Sequence, residues 1–132
     1  MIVHAFRILP GEDLRLSIEE FVAQHCLQAA VILACVGSLT KVVLRYAGSS
    51  SATELHDRFE IVSMEATLSA HGSHFHIAVS DGDGNVKGGH LLPGSIVYTT
   101  AEMVIGEIPG LTFQRVEDPA TGYCELVVQH RS

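Results

Sequence analysis

His74-Phe75-His76-Ile77-Ala78-Val79-Ser80-Asp81-Gly82-Asp83-Gly84-Asn85-Val86-Lys87-Gly88-Gly89-His90-Leu91 decides the fold. Its first half alternates. Phe75, Ile77 and Val79 form an apolar face, and His74 and His76 point the other way, because successive strand side chains alternate. Asp81 to Asn85 is a turn by composition, so the whole stretch reads as a β-hairpin. If the loop has an odd number of residues centred on Asp83, position 76 faces position 90 and His90 joins the histidine face. An even loop puts His90 on the core side unless a bulge restores it. Gly88-Gly89 suits such a bulge, or a close approach of backbone to an ion or ligand.

The flanking sequence is mostly of the same kind. Residues 2–9 read as a strand broken by Pro10-Gly11. Glu12 to Cys26 reads as an amphipathic helix, with Leu14, Ile18, Phe21 and Val22 on one face. Glu12 and Asp13 suit its positive N-terminus. Ala30 to Val36 is a continuous apolar strand, turned at Gly37-Ser38 and followed by a strand from Val42 to Tyr46. Further strands are expected over Phe59–Ser69, Ile96–Glu107, Leu111–Glu117 and Tyr123–Gln129, separated by Pro93-Gly94, Pro109-Gly110 and Asp118-Pro119. One α+β domain over residues 1–132, a strongly curved antiparallel or mixed sheet with one main helix, is the economical fold.

Two imidazoles on alternate strand positions have Cβ atoms about 6–7 Å apart. They can converge on one divalent ion at about 2.0–2.1 Å from each nitrogen. A third histidine beyond a tight turn completes a set that leaves a coordination position open, the arrangement of catalytic zinc. The expected metal ligands are therefore His74, His76 and His90, and His71 is close enough in sequence to support them. Glu65, on the polar face of an alternating strand, is either solvated or borders the metal. Glu102 lies in an apolar stretch, where a buried carboxylate needs a partner, and Arg45 is an available cation. The Asp81-x-Asp83-x-Asn85 spacing fails as a calcium loop because Val86 and Leu92 stand where Gly and Glu are required. The glycines lack dinucleotide spacing, and Ser38 and Ser80 have no evident base.

With 132 residues and 47% hydrophobic content, the chain fits one domain that folds without a disulfide or metal staple. Cys26, Cys35 and Cys124 are far apart and odd in number, a pattern of reducing compartments; Cys35 and Cys124 read as small core residues. With no secretory-length or membrane-length apolar run, the expected location is the cytoplasm. A formal charge of −7 disfavours a phosphate backbone, and Lys41, Arg45, Lys87, Arg115 and Arg131 are scattered in sequence and form no basic stripe.

Pro10-Gly11-Glu12-Asp13-Leu14, Val36-Gly37-Ser38-Leu39, Arg58-Phe59-Glu60-Ile61-Val62-Ser63, Gly72-Ser73-His74-Phe75-His76, Asp83-Gly84, Gly88-Gly89-His90-Leu91 and Thr100-Ala101-Glu102 run nearly end to end. In these the chain resembles the stand-alone prokaryotic PPC ("plants and prokaryotes conserved") domains. The Gly-x-His-x-His…Gly-Gly-His combination is the specific part. The resemblance implies a barrel-like α+β fold and a homotrimer. Plant members carry an AT-hook before the domain. This sequence contains no such segment, so DNA binding does not come over with the family name. The same histidine pattern is similar to the zinc-ligand motif of acetolactate decarboxylase, which implies zinc on His74, His76 and His90. Its gap before the third His is shorter, and its further Glu and Arg groups have no motif match here, so the decarboxylase activity is not carried over.

Two functions stand side by side. The first is a zinc-dependent lyase or hydrolase acting on a small anionic metabolite such as a keto acid. The second is a non-catalytic, DNA-associated regulator or scaffold acting through other proteins. Neither needs a membrane. Either is expected as an obligate homo-oligomer with the metal site near a subunit boundary. Ile96, Val97, Tyr98, Met103, Val104, Ile105 and Ile108 make one strand apolar on both faces, more than a single small domain covers.

Overall fold

The computed structural model describes residues 1–132. The elements are β1 (Ile2–Ile8), α1 (Leu14–Gln24), β2 (Ala30–Arg45), β3 (Thr53–Leu68), β4 (His74–Ser80), β5 (Val86–Leu91), β6 (Ile96–Glu107), β7 (Leu111–Glu117) and β8 (Cys124–His130). The fold is mostly β with one short helix. Six strands form a sheet in the order β1-β6-β2-β3-β4-β5, and β7 and β8 form a separate hairpin. All pairings are antiparallel. β2 also meets β5, through Leu44↔Leu91 and Arg45↔His90, so the far strand returns to the middle of the sheet. β1 ends the sheet, pairing only with β6, so the expectation of a barrel reduces to a sheet that turns back on itself at this one place.

The helix is shorter than the apolar period suggested. Asp13 caps it: Leu16 N–H donates to one carboxylate oxygen at 3.0 Å and Gly94 N–H to the other at 2.6 Å. The same carboxylate thus fixes the helix start and the turn before β6; a cap of this kind contributes about 1 kcal/mol. His25 closes the other end, and Cys26 leaves in the left-handed region at φ 51°. Leu14, Ile18 and Val22 are buried in a core with Leu44, Phe75, Ile77, Val79, Leu91, Met103 and Ile105.

The sheet corrects several expectations. Gly37-Ser38 is not a turn: β2 runs straight through it with local register shifts. Gly37 is there because a Cβ at that position would overlap the Thr100 carbonyl of β6. β3 starts earlier than expected, because Thr53 to His56 pairs with Lys41 to Leu44 of β2 along a largely polar rim. In β6, Val97, Met103 and Ile105 are buried, Ile96 and Val104 are half-buried and Tyr98 is exposed; Ile108, just beyond the strand, is half-buried. Much of the apolar excess of β6 is therefore covered within the subunit. Uncovered apolar side chains stand elsewhere: Val3, Leu33, Val36 and Val62 on the sheet, and Leu126, Val127 and Val128 on β8. Cys124 is exposed rather than in the core, because nothing covers β8. No helix is long and apolar enough to cross a membrane.

Candidate metal centre

The turn has five residues, Asp81 to Asn85, with Ser80 opposite Val86. Asp81 builds it: its carboxylate accepts from the N–H groups of Asp83 and Asn85, both at 2.9 Å. This odd loop sets the register, and His76 faces His90 directly. No bulge is involved. The glycine pair serves close packing instead: a Cβ at Gly88 would stand 2.7 Å from the Ile77 carbonyl oxygen, and one at Gly89 2.7 Å from that of Arg45. Gly89 therefore lets β5 approach β2 and brings Arg45 beside His90.

Phe75, Ile77 and Val79 point into the core, so His74 and His76 point out of it. The three rings pack together, with centroids 4.8 Å (74–76), 4.7 Å (76–90) and 5.4 Å (74–90) apart. His74 Nε2 and His90 Nδ1 are 3.4 Å apart, and one ligand nitrogen from each ring lies within 4.8 Å of the others. Nitrogens on a tetrahedral ion at about 2.0–2.1 Å stand about 3.4 Å from one another. One pair already has that spacing, and the third ligand atom lies within 4.8 Å of both.

The electrostatics favour neutral imidazoles, the form that ligates metal. Partial burial pushes His74 below the usual imidazole range, helped by His76, Arg115 and His90. Burial does the same to His90, helped by Arg45, His76 and Arg15.

Two cavities flank the cluster and share His90. The smaller, about 350 Å³, is lined by Ser63, Glu65, His76, Gly88 and Gly89 among others. Glu65 of β3 lies opposite His76 of β4. The larger, about 850 Å³, is bounded by His74, His90, Arg15, Arg45 and Arg115 together with Tyr123 and Glu125 from the C-terminal hairpin.

Residues 1–109 match the family described as the Plants and Prokaryotes Conserved (PCC) domain. This chain belongs to that family. The PCC domain is 46% identical to a hypothetical protein from Salmonella cholerae-suis, with a TM-score of 0.97 over 99% of this chain and 95% of that one. It is 27% identical to the metal-containing protein AF0104 from Archaeoglobus fulgidus, with a TM-score of 0.84 over 96% and 94% of the two chains. It is also 43% identical, over 96% of its length, to part of the bifunctional protein GlmU of a Synechococcus strain. It spans about a fifth (20%) of that curated relative's length.

Of the residues singled out in the sequence, the fold brings His74, His76 and His90 together, with Glu65 and Arg45 at the cavity walls. Glu102 is not among them. It is exposed, and its nearest polar contact is the Thr100 hydroxyl, which donates to it at 3.5 Å. It therefore carries no burial cost that would demand Arg45. His71 faces away, bonded to Gln28 at 2.8 Å. The cations are not scattered in space. Arg15 of α1, Arg45 of β2 and Arg115 of β7 border one cavity. Sequence spacing carries no signal for this, because the three lie on elements that meet only in the folded chain.

Proposed function

We propose that this PCC domain binds a divalent metal ion, zinc foremost, through His74, His76 and His90, and uses it on a small molecule held in the adjoining cavities. The reaction class is that of a zinc-dependent lyase or hydrolase. The observation that carries this reading is the convergence of three imidazoles, two of them biased towards the neutral form, at the mouths of two cavities. The description of the 27% identical Archaeoglobus protein as metal-containing supports it. When bound, zinc on three histidines keeps a position open for a carbonyl or water oxygen and acts there as a Lewis acid. Glu65 is the carboxylate placed to move a proton, since it lines the small cavity opposite His76. Gly88 and Gly89 keep that cavity free of side chains.

The assembly belongs to the same proposal: a homotrimer, the number coming from the family resemblance. The uncovered apolar side chains of β2, β3 and β8 support an assembly. A cytoplasmic location fits three cysteines that are all free. Two structures of this fold, from Bacteroides thetaiotaomicron and Ralstonia eutropha, are described as candidate DNA-binding proteins. At 18% identity, with TM-scores of 0.83 and 0.75, they share the fold and no more. The scaffold reading thus has no observation of its own.

Metal analysis of the purified protein is the test. One zinc per chain is expected, and His76→Ala removes most of it. A variant that keeps its full complement against a competing chelator overturns the assignment.

A further inference from the structure

We infer that the larger cavity is a binding site for a small organic dianion, a dicarboxylate or a phosphorylated acid, with Arg45 and Arg115 as its anchors beside His74 and His90. This rests on the metal reading above and narrows its small anionic metabolite to a dianion held at named residues.

The first support is the distribution of charge. The chain carries −7 overall and has only six arginines, yet three of the six border this one cavity. The only carboxylate among the lining residues is Glu125. Gathering like charges around a cavity is unfavourable without an opposite charge to offset it, and the concentration of cations in an acidic chain focuses an attractive field on a small anion.

The second support is what the three guanidiniums do and do not touch. Arg15 is committed: it donates from Nε to Glu19 at 2.9 Å and from Nη1 to the Leu91 carbonyl at 2.6 Å, and lies 5.0 Å over the Phe75 ring. It is a fixed wall of the site. Arg115 donates one bond, from Nη2 to the neutral Thr67 hydroxyl at 2.8 Å, and has no ion pair. Arg45 belongs to none of the chain's ion pairs and directs no side-chain hydrogen bond at the protein. Its fork is free, although its backbone is held rigidly opposite His90 by the Gly89 approach. A planar fork of this kind binds a carboxylate or phosphate through two parallel N–H···O bonds.

The third support is the arrangement of cation and histidine. Arg45 of β2 pairs directly with His90 of β5, and Arg15 and Arg115 line the same cavity as His74 and His90. The guanidiniums therefore sit at the edge of the triad, where an anion on them places its neighbouring oxygens towards the imidazoles. A volume of about 850 Å³ accommodates a small organic ligand.

The probes are malonate and inorganic phosphate, titrated calorimetrically into the full zinc-loaded chain, with malonamide as the uncharged control. The expected result is saturable binding of malonate, phosphate or both, and none of malonamide. In the Arg45→Gln, Arg115→Gln double variant the affinity falls at least tenfold while zinc content is unchanged. Arg45→Lys, which keeps the charge and loses the fork, falls between the two and guards against a folding artefact. Equal binding of malonamide, or an undiminished affinity in the folded double variant, overturns the inference. The metal reading fails separately. A chain that takes up no zinc yet binds malonate through Arg45 and Arg115 sustains the anion site and removes the metal.

Discussion

Two antiparallel hairpins of nearly equal length do opposite things in this molecule. In β4–β5 every second residue of the first strand is buried, and the free face carries two histidines. In β7–β8, Thr112 and Phe113 of β7 are buried, and β8 is exposed at all seven positions. The local sequences do not account for the contrast. Leu126, Val127 and Val128 are as apolar as Ile77, Ala78 and Val79. The difference is what lies behind each strand. β4 is flanked by β3 and β5 and packs on the helix-covered core, whereas β8 has β7 on one side and nothing on the other. Alternation states which residues share a face; cover decides whether that face is core.

The largest expected effect breaks the comparison at the histidine face. His76→Ala is expected to abolish stoichiometric zinc binding while leaving the fold intact, because the side chain points away from the core. Next comes the opposite face of the same strand. Phe75 is 1% exposed, and truncating a buried Phe to Ala costs about 3–5 kcal/mol. Phe75→Ala is therefore expected to lower the denaturant midpoint steeply. A variant as stable as the parent would mean that β4 does not pack as described.

The unequal legibility of the two hairpins follows from the same physics. Period two makes the shared face of His74 and His76 legible in β4, whereas the side taken by His90 stays open between an odd and an even loop until the five-residue turn fixes its pairing with His76. Gly37 is ambiguous in sequence, because glycine marks a turn and a close approach between strands equally well. The early start of β3 is not legible in sequence, because its polar rim has no apolar alternation. The alternation around Cys124 points to a core position, but cover is not local and the residue is exposed. The arginine cluster was invisible for a related reason: α1, β2 and β7 supply one residue each, and only the β2–β5 contact and the C-terminal hairpin bring them together.

A smaller effect concerns pH. His74 and His90 are held below the usual imidazole range near 6.5, first by burial and then by neighbouring cations and histidines. Above that range both are neutral, folded or unfolded, and contribute no pH dependence. As pH falls through about 6.5 the unfolded chain takes up protons that the folded chain resists, so stability is lost on the acid side. The metal-free protein is expected to melt at progressively lower temperature as pH falls below about 6.5. Replacing His74 and His90 with Gln is expected to flatten the acid limb; an unchanged limb would locate the effect elsewhere. The acidity of the chain bears on nucleic acid too. Duplex DNA is expected to bind no tighter than micromolar at physiological salt. Sub-micromolar affinity with a steep salt slope would restore the DNA-associated reading.

The smallest expected effect on the subunit's own fold tests the second hairpin. Leu126 and Val127 lie on opposite faces of β8 and are each 39% exposed. Replacing both with Ser removes little packing within the chain, and surface changes of this kind usually alter stability by about 0.5 kcal/mol or less. If β8 is solvated in the working protein, its melting temperature and mass will hardly move. If β8 lies against a neighbouring copy, the same two changes place hydroxyls in an apolar interface and shift the assembly towards a 14.2 kDa particle on dilution. The homotrimer proposal expects the second outcome by light scattering. It has a consequence for the site as well, because Tyr123, Cys124 and Glu125 at the start of β8 border the arginine cavity. Loosening β8 is then expected to weaken malonate binding while leaving zinc on the histidines. A parent protein that is already a stable, folded single chain would refute the assembly and leave the apolar face of β8 without a partner.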